Sequence, residues 1–296
     1  MKVSPMSQLQ VPNNHPLTNI EVIVTRAEHQ LESTTLLLEA LGAKVIKAPT
    51  IKMVPPPPPQ DKIYARGSWL IPQDQVKRFL WRFDWLIFTS VNAVKYAHEA
   101  WQSIGGLSGA LNFSPPSNQL SRKRDTKIAC IGKSTYEALQ QLNIPVTLIP
   151  KSYHAEGLLS AFDNYEMKGK RVLIPRALVA RELLPEALRA RGTEVWITPL
   201  YQTVSAILSP ELKRELIAPL QVEHRILTFT SDSTMNGLIE QLSDGELEWL
   251  KKLCPVVVIG PAIKRAAQRE GFKVLAMAQP HTIQGLIQTL TQYFKS

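Results

Sequence analysis

The chain has 296 residues, 44% of them hydrophobic and 20% charged, with a formal net charge of +9. That is enough length and apolar content for two ordinary domains with real cores, and no run of 18 apolar residues is present to span a membrane. Two cysteines and six scattered histidines exclude a disulfide framework and a His/Cys metal cluster, and suit a reducing, cytoplasmic setting.

Residues 1–19 are polar and Pro/Asn-rich, with neither an apolar h-region nor an arginine. They read as a disordered tail rather than a secretory or organelle signal. A β-rich run over 21–25 ends at Arg26. Residues 30–41 then place Leu31, Thr34, Leu37, Leu38 and Leu41 at helical spacing, Gly42 stops that helix, and 44–53 is the next strand. Five consecutive prolines over 55–59 cannot continue a central strand and read as a stiff bridge or loop. Residues 85–88 form a fully apolar strand, after which Thr89-Ser90-Val91-Asn92 opens a helix. Residues 103–126 read as a second low-order insertion. A strand over 127–131 ends at Gly132, a helix runs from Ser134 or Thr135 to Leu142, and a strand over 146–149 precedes a short helix over 155–162.

The design then returns. Residues 173–203 echo 23–53, with strands at 172–174 and 194–201 about a helix at 183–190. Residues 224–235 echo 83–94, and 256–290 echo 128–162. Arg26 and Arg176 are 150 positions apart, Phe88 and Phe229 are 141, and Gly132 and Gly260 are 128. The order of blocks is kept while loops differ. Apolar strands alternating with helices predict an α/β fold: two related domains, each a parallel sheet flanked by helices, with a ligand cleft between them.

The basic excess is lopsided. Residues 53–199 hold 19 Lys/Arg against 12 Asp/Glu, and the remainder 15 against 13. Part of it is the run Arg122-Lys123-Arg124, best read as a solvated loop. With no zinc spacing and no aromatic-basic RNA signature, nucleic acid is not the expected partner, and a small polyanion suits a basic protein with a cleft.

In a parallel α/β sheet, ligands meet the carboxyl ends of strands and the N-termini of the following helices. Thr25-Arg26, Thr89-Ser90 with Asn92, Gly132 to Thr135, Arg176, Thr230-Ser231 with Ser233, and Gly260 all follow apolar strands. Unpaired N–H groups and hydroxyls there can take carboxylate or phosphate, although each is also an ordinary helix cap. No dinucleotide fingerprint follows the first strand, because Val24-Thr25-Arg26-Ala27-Glu28 lacks glycine. Gly132-Lys133-Ser134 resembles the end of a phosphate loop without its upstream glycine. No Ser-His-Asp set and no carboxylate pair after strands is evident. Arg26, Arg176 and Arg181 could clamp carboxylates in two-pronged fashion. Tyr201 is either a packed strand aromatic or a phenol presented to ligand. His154 and His281 stand before equivalent helices, which favours capping over catalysis.

Taken together, Val24-Thr25-Arg26, Phe88-Thr89-Ser90-x-Asn92-Ala93-Val94, Ile131-Gly132-Lys133-Ser134-Thr135 and Val172 to Arg176 running on to Thr198-Pro199-Leu200-Tyr201-Gln202-Thr203 resemble the uroporphyrinogen-III synthase family. Phe229-Thr230-Ser231, Val258-Ile259-Gly260-Pro261 and Pro280-His281-Thr282-x-x-Gly285-Leu286 continue the likeness over residues 20–294. The resemblance implies two α/β domains joined by a two-stranded β ladder: 20–49 with 204–296, and 54–198, with 50–53 and 199–203 as the ladder. It implies a substrate, hydroxymethylbilane, a linear tetrapyrrole with eight carboxylates, received from hydroxymethylbilane synthase. The reaction implied is cyclisation with inversion of ring D through a spiro intermediate, loss of water, and no metal or organic cofactor.

By residue, the resemblance implies Tyr201 as the group that helps the hydroxyl leave and Thr135 as a second catalytic-cleft residue. Thr25, Arg26, Thr89, Ser90, Asn92, Gly132, Ser134, Arg176, Thr230, Ser231, Ser233, Gly260 and Thr282 would bind substrate. The chain departs from the family after Gly260-Pro261, where Ala262-Ile263 stand in place of hydroxyl residues. A two-lobed protein that binds a small anion or tetrapyrrole without turnover is the alternative, and a monomer is the default state.

Overall fold

The computed structural model describes residues 15–57, 69–71, 75, 80–112 and 125–295. Most of the expected tail, Pro58 and Pro59 of the proline run, and Arg122-Lys123-Arg124 lie outside the described residues.

In chain order the strands are β1 (Ile20–Val24), β2 (Lys44–Lys47), β3 (Ile51–Val54), β4 (Trp69–Leu70), β5 (Trp85–Phe88), β6 (Lys127–Cys130), β7 (Arg171–Ala177), β8 (Glu194–Ser205), β9 (His224–Phe229), β10 (Val256–Val258) and β11 (Val274–Met277). The described helices are α1 (Glu28–Glu39), α2 (Val91–Ala100), α3 (Gly106–Asn112), α4 (Lys133–Gln141), α5 (Ala155–Ala161), α6 (Leu183–Ala190), α7 (Pro210–Ile217), α8 (Asp232–Ile239), α9 (Asp244–Leu253), α10 (Pro261–Arg269) and α11 (Ile283–Lys295). The chain divides into two compact units, Met1–Met53 with Thr203–Ser296, and Val54–Gln202.

The first unit is built on a sheet ordered β11-β10-β9-β1-β2, every pair parallel. Alternation along its strands sends side chains to two separate cores. Ile23, Leu227, Phe229, Val256 and Val258 pack on one face, and Val22, Val24, Ile226 and Val257 on the other. Both faces are therefore apolar and helix-covered, which is why these strands read as continuous apolar runs. Each Val, Ile or Leu so buried contributes roughly 1.5–3 kcal/mol.

One polar cluster lies inside this sheet. Glu21 pairs in register with Lys44 on one side and Arg225 on the other. Its carboxylate meets Lys44 Nζ at 2.7 Å and Arg225 Nε, while Arg225 Nη1 donates to the carbonyls of Leu216 and Ala218 at 3.0 and 2.9 Å. Glu21 and Arg225 are both buried, so each ion depends on the other for its solvation.

The other sheet is ordered β3-β8-β7-β5-β6, with β4 also on β8; β4, β5, β6, β7 and most of β8 lie in the second unit. The β8–β7, β7–β5 and β5–β6 pairs are parallel. By the sequence repeat, β6, β5, β7 and β8 correspond to β10, β9, β1 and β2, so the four strands stand in the same spatial order in both units. What differs is which strands the chain lays down first.

Three expectations need correction. The strand over 44–53 is two strands, because Pro49 has no N–H to carry the ladder across Ala48-Pro49-Thr50. The strand over 146–149 is reduced to one parallel bridge, Ala129 to Leu148; Pro145 and Pro150 bracket it, whereas its counterpart β11 is a full strand. The insertion over 103–126 contains α3, with Leu107 and Ala110 buried. In addition, the described part of the tail expected over 1–19, His15 to Asn19, is packed on the first unit. Leu17 is wholly buried and its N–H donates to the carbonyl of Leu41 at 3.0 Å.

Candidate functional site

The carboxyl ends of parallel strands in register lie level, and the helices that follow start there. In the first unit Val24 pairs with Thr228, and Phe229 and Met277 both flank Val258. Thr25-Arg26, Thr230-Ser231, Ile259-Gly260 and the turn before Thr282 thus follow adjacent strand ends. In the second unit Phe88 pairs with Cys130 and Ala177 with Tyr201, so Thr89-Ser90, Ile131-Gly132, Arg176 and Tyr201 mark the same edge of that sheet.

Most of the polar groups in the first unit serve the fold. Thr25 is wholly buried and its hydroxyl donates to the carbonyl of Thr228 at 2.7 Å. That hydrogen bond ties β1 to β9. Ser231 caps α8 in a capping box with Thr234. Thr282 Oγ1 accepts the N–H of Gly285 at 3.0 Å at the start of α11. Ser233 is exposed in the first turn of α8, Thr230 is half-buried, and Gly260 caps α10 through its backbone alone. Of the two residues after Pro261, Ala262 is exposed and Ile263 is buried in the core, so a hydroxyl at 263 would replace a packing residue.

The two repeat arginines behave alike. Arg26 Nη1 donates to Thr34 Oγ1 at 3.1 Å, its Nε has no partner, and burial holds its pKa below the usual value. Arg176, on β7, is buried; its Nη1 donates to the carbonyl of Arg181 at 3.1 Å and its Nη2 to the carboxylate of Glu182. Its guanidinium is thus engaged by the chain's own carboxylate, through Nη2 alone, while its Nε and Glu182 Oε2 have no partner. Arg181 is exposed and contributes a carbonyl rather than a guanidinium to that contact.

The second unit gathers polar groups around one phenol. Tyr201 is 7% exposed on β8. Burial raises its pKa above 10, while hydrogen bonding from the side chains of Ser90 and Asn92 acts in the opposite direction. Ser90 is the N-cap of α2, its Oγ accepting the N–H of Ala93 at 3.1 Å. The ring of Tyr96, one turn along α2 from Asn92, stacks on the Tyr201 ring with centroids 4.8 Å apart and 27° between planes. Sequence reading missed Tyr96; its spacing of four from Asn92 on a helix was the available signal.

Close by in the fold, Gly132 precedes α4 with φ +87° and open space where a Cβ would stand. A side chain there would strain the backbone and cover the exposed helix start. Thr135 is buried in the first turn of α4 and Ser134 is exposed. Thr89 is half-buried.

His154 caps α5, its Nδ1 accepting the N–H of Gly157 at 3.1 Å, as its placement suggested. His281 does not: its Nδ1 lies 2.8 Å from the carbonyl of Ala278, and Thr282 is the cap. The equivalent positions are His154 and Thr282, each three residues before a glycine. Those glycines are required by close approach, since a Cβ at Gly157 or Gly285 would stand 2.1 or 1.8 Å from a backbone carbonyl oxygen.

Burial pushes the thiol of Cys130 up to about 11 and that of Cys254 to about 12. Both stay protonated at neutral pH and neither is a nucleophile. Among the described residues no group of three or more His, Cys, Asp or Glu could hold a metal ion, and no helix is long and apolar enough to cross a membrane.

The chain is similar to the uroporphyrinogen-III synthase of Synechococcus elongatus, 28% identical over 282 residues that cover 94% of this chain and 97% of that one. It is 25% identical over 254 residues to the uroporphyrinogen-III synthase of Chlorobaculum parvum, covering 86% and 90%. Its fold is similar to that of a mutant uroporphyrinogen III synthase from Thermus thermophilus, with a TM-score of 0.55 at 18% identity over 91% of this chain and 96% of that one. The synthetase of Helicobacter pylori gives 0.54 at 15% identity, over 92% and 97%. The family model described as uroporphyrinogen-III synthase HemD matches residues 32–288, and the chain belongs to that family.

Proposed function

We propose that the protein is a uroporphyrinogen-III synthase of tetrapyrrole biosynthesis, acting as a monomer on hydroxymethylbilane released by hydroxymethylbilane synthase. The observation that carries the reading is the family match over residues 32–288, which takes in the strand ends of both units other than that of β1.

The chemistry asks for ionisation of a hydroxymethyl group and then for control of which carbon attacks. In the proposed course the phenol of Tyr201 gives a proton, or a strong hydrogen bond, to the terminal hydroxyl. The C–O bond breaks, water leaves, and the pyrrole nitrogen lone pair completes an azafulvene. The substituted α-carbon of the far pyrrole attacks it to form the spiro ring. That intermediate fragments at its other bond, and the released ring closes in the inverted sense. The proton lost on final rearomatisation balances the one given first, so the net change is loss of one water.

Tyr201 suits the first step because burial keeps its phenol protonated. Oriented donors can then hold the folded bilane against the easier closure that gives the uninverted isomer. We assign that role, in the unit that carries Tyr201, to the backbone N–H groups and hydroxyls at the starts of α2 and α4, with Thr89, Ser134 and Thr135 supplying hydroxyls. Taken by itself, the first unit offers Thr230, Ser233 and Arg26 at its own strand ends as carboxylate ligands. The net charge of +9 favours an octacarboxylate.

The test is to generate hydroxymethylbilane in situ, add the protein without cofactor, oxidise, and separate uroporphyrin isomers I and III. Isomer III in the majority is the expected result. Isomer I alone, with folded protein present, would point instead to a tetrapyrrole-binding protein without turnover.

A further inference from the structure

A catalytic phenol must be held in plane and must keep its proton pointed at the leaving group. The Tyr96 and Tyr201 rings overlap face to face, 4.8 Å between centroids, an arrangement that restricts rotation of either ring about its Cα–Cβ bond. Tyr96 projects from the same face of α2 as Asn92, four residues earlier, and Ser90 caps that helix. Because Ser90 Oγ accepts the N–H of Ala93, its own O–H hydrogen is directed elsewhere and is available to the phenol oxygen. Lys95 Nζ stands 5.9 Å from the Tyr96 ring centroid and 3.9 Å from the carboxylate of Glu99.

We propose that Tyr96 is a positioning residue for Tyr201, and that α2 as a whole, through Tyr96, Ser90 and Asn92, aims the phenol. Tyr96 sets the plane of the ring. Ser90 and Asn92 donate to its oxygen, so the phenol's own proton is the one left to give. The inference rests on the part assigned to Tyr201 in the proposed reaction, and it changes the reading of Ser90 and Asn92 from substrate-carboxylate ligands to supports of that phenol. The direction of the hydrogen-bonding effect on Tyr201, downward against the upward push of burial, is what two donors to the oxygen would produce. Burial, then Glu99 and Tyr201, raise the Tyr96 phenol as well, so it stays neutral and places no second charge beside Tyr201.

The test uses the full chain with the ζ-carbons of tyrosine labelled, the Tyr201 signal being identified by its loss in Tyr201→Phe. Steady-state kinetics of isomer III formation are measured on the same samples. Tyr96→Phe, which keeps the stacking ring, is expected to stay within about twofold of the parent kcat, whereas Tyr96→Leu loses roughly tenfold in kcat with KM little changed. Tyr96→Leu should also move the Tyr201 ζ-carbon signal, and Asn92→Ala should raise the pH at which that signal titrates.

A folded Tyr96→Leu with parent kcat and an unmoved Tyr201 signal overturns the proposal. Should Tyr96→Leu fail to fold, Tyr96→Met is read by the same two measurements, and an unshifted Tyr201 titration in Asn92→Ala is equally fatal. Failure of the underlying reading looks different. There Tyr201→Phe itself keeps the parent kcat, and the positioning role falls with it.

Discussion

The two units share four strands in one spatial order, yet they spend their polar residues differently. In the first, Thr25, Ser231 and Thr282 are bound to the chain's own backbone, and Glu21 pairs with the buried Arg225 and with the exposed Lys44. In the second, Ser90, Asn92 and Tyr96 surround Tyr201. A duplicated scaffold can therefore keep its strand-end positions while one copy turns them to cohesion and the other to a reactive side chain. The repeat arginines are the exception, serving the fold in both units: Arg26 reaches forward to Thr34 on α1 and Arg176 to Glu182 at the start of α6.

This contrast can be broken by experiment. The largest effect expected is on stability. Glu21→Leu strands the buried Arg225 charge and should lower the unfolding free energy by roughly 3–5 kcal/mol, read from urea melts. A loss under about 1 kcal/mol would mean that the ions are solvated by other means. Next comes Tyr201→Phe. It should lower isomer III formation by roughly 10–100-fold, the worth of one hydrogen bond to developing charge, and leave the melting temperature unchanged. An unchanged rate would leave the second unit without its distinguishing residue.

Ser231→Ala is the matched control in the first unit. Loss of a helix cap predicts about 1 kcal/mol of destabilisation with activity per folded molecule retained. If activity fell instead and stability did not, Ser231 would belong with ligand binding and the contrast would collapse.

The smallest effect concerns pH. Burial raises the pKa values of Tyr96 and Tyr201 in the folded state, so the folded chain holds these protons more tightly than the unfolded chain does. The resulting stability is complete below pH 10, near the ordinary tyrosine value, and is lost as pH rises through and above it. Between pH 9 and 11 the urea midpoint should fall, and a Tyr96→Phe/Tyr201→Phe double variant should fall less. Equal slopes would show that neither phenol is protected by the fold.

Much of the fold was legible because its signals are local. The fully apolar run Trp85–Phe88, the cap at Ser90 and the helix Leu183–Ala190 each announce themselves within a few residues, and the structure has them at those places. At Pro49 and about 146–149 a proline made the local signal fail, whereas the helix Gly106–Asn112 was missed in a Gly-rich stretch that carries little helical signal. The site was less legible because its contacts join distant segments. Nothing near Thr25 says that its hydroxyl will be taken by Thr228, and nothing near Tyr201 says that Tyr96 will lie on its ring. Identical residue types, a threonine or serine after an apolar strand, do structural duty in one unit and surround a phenol in the other, so residue type alone does not assign the role.

The identical strand order conceals a difference in timing during synthesis. Val54–Gln202 is one continuous stretch, and all the strands of its sheet except part of β3 leave the ribosome together. β1 has β2 at hand, but its other neighbour arrives with Arg225, 204 residues after Glu21. At about 5–20 residues per second, one edge of β1, carrying a glutamate amid apolar residues, waits roughly 10–40 s for its partner. The second unit can close on its own in that interval. The first is the one for which a chaperone that shields an unpaired strand edge would matter.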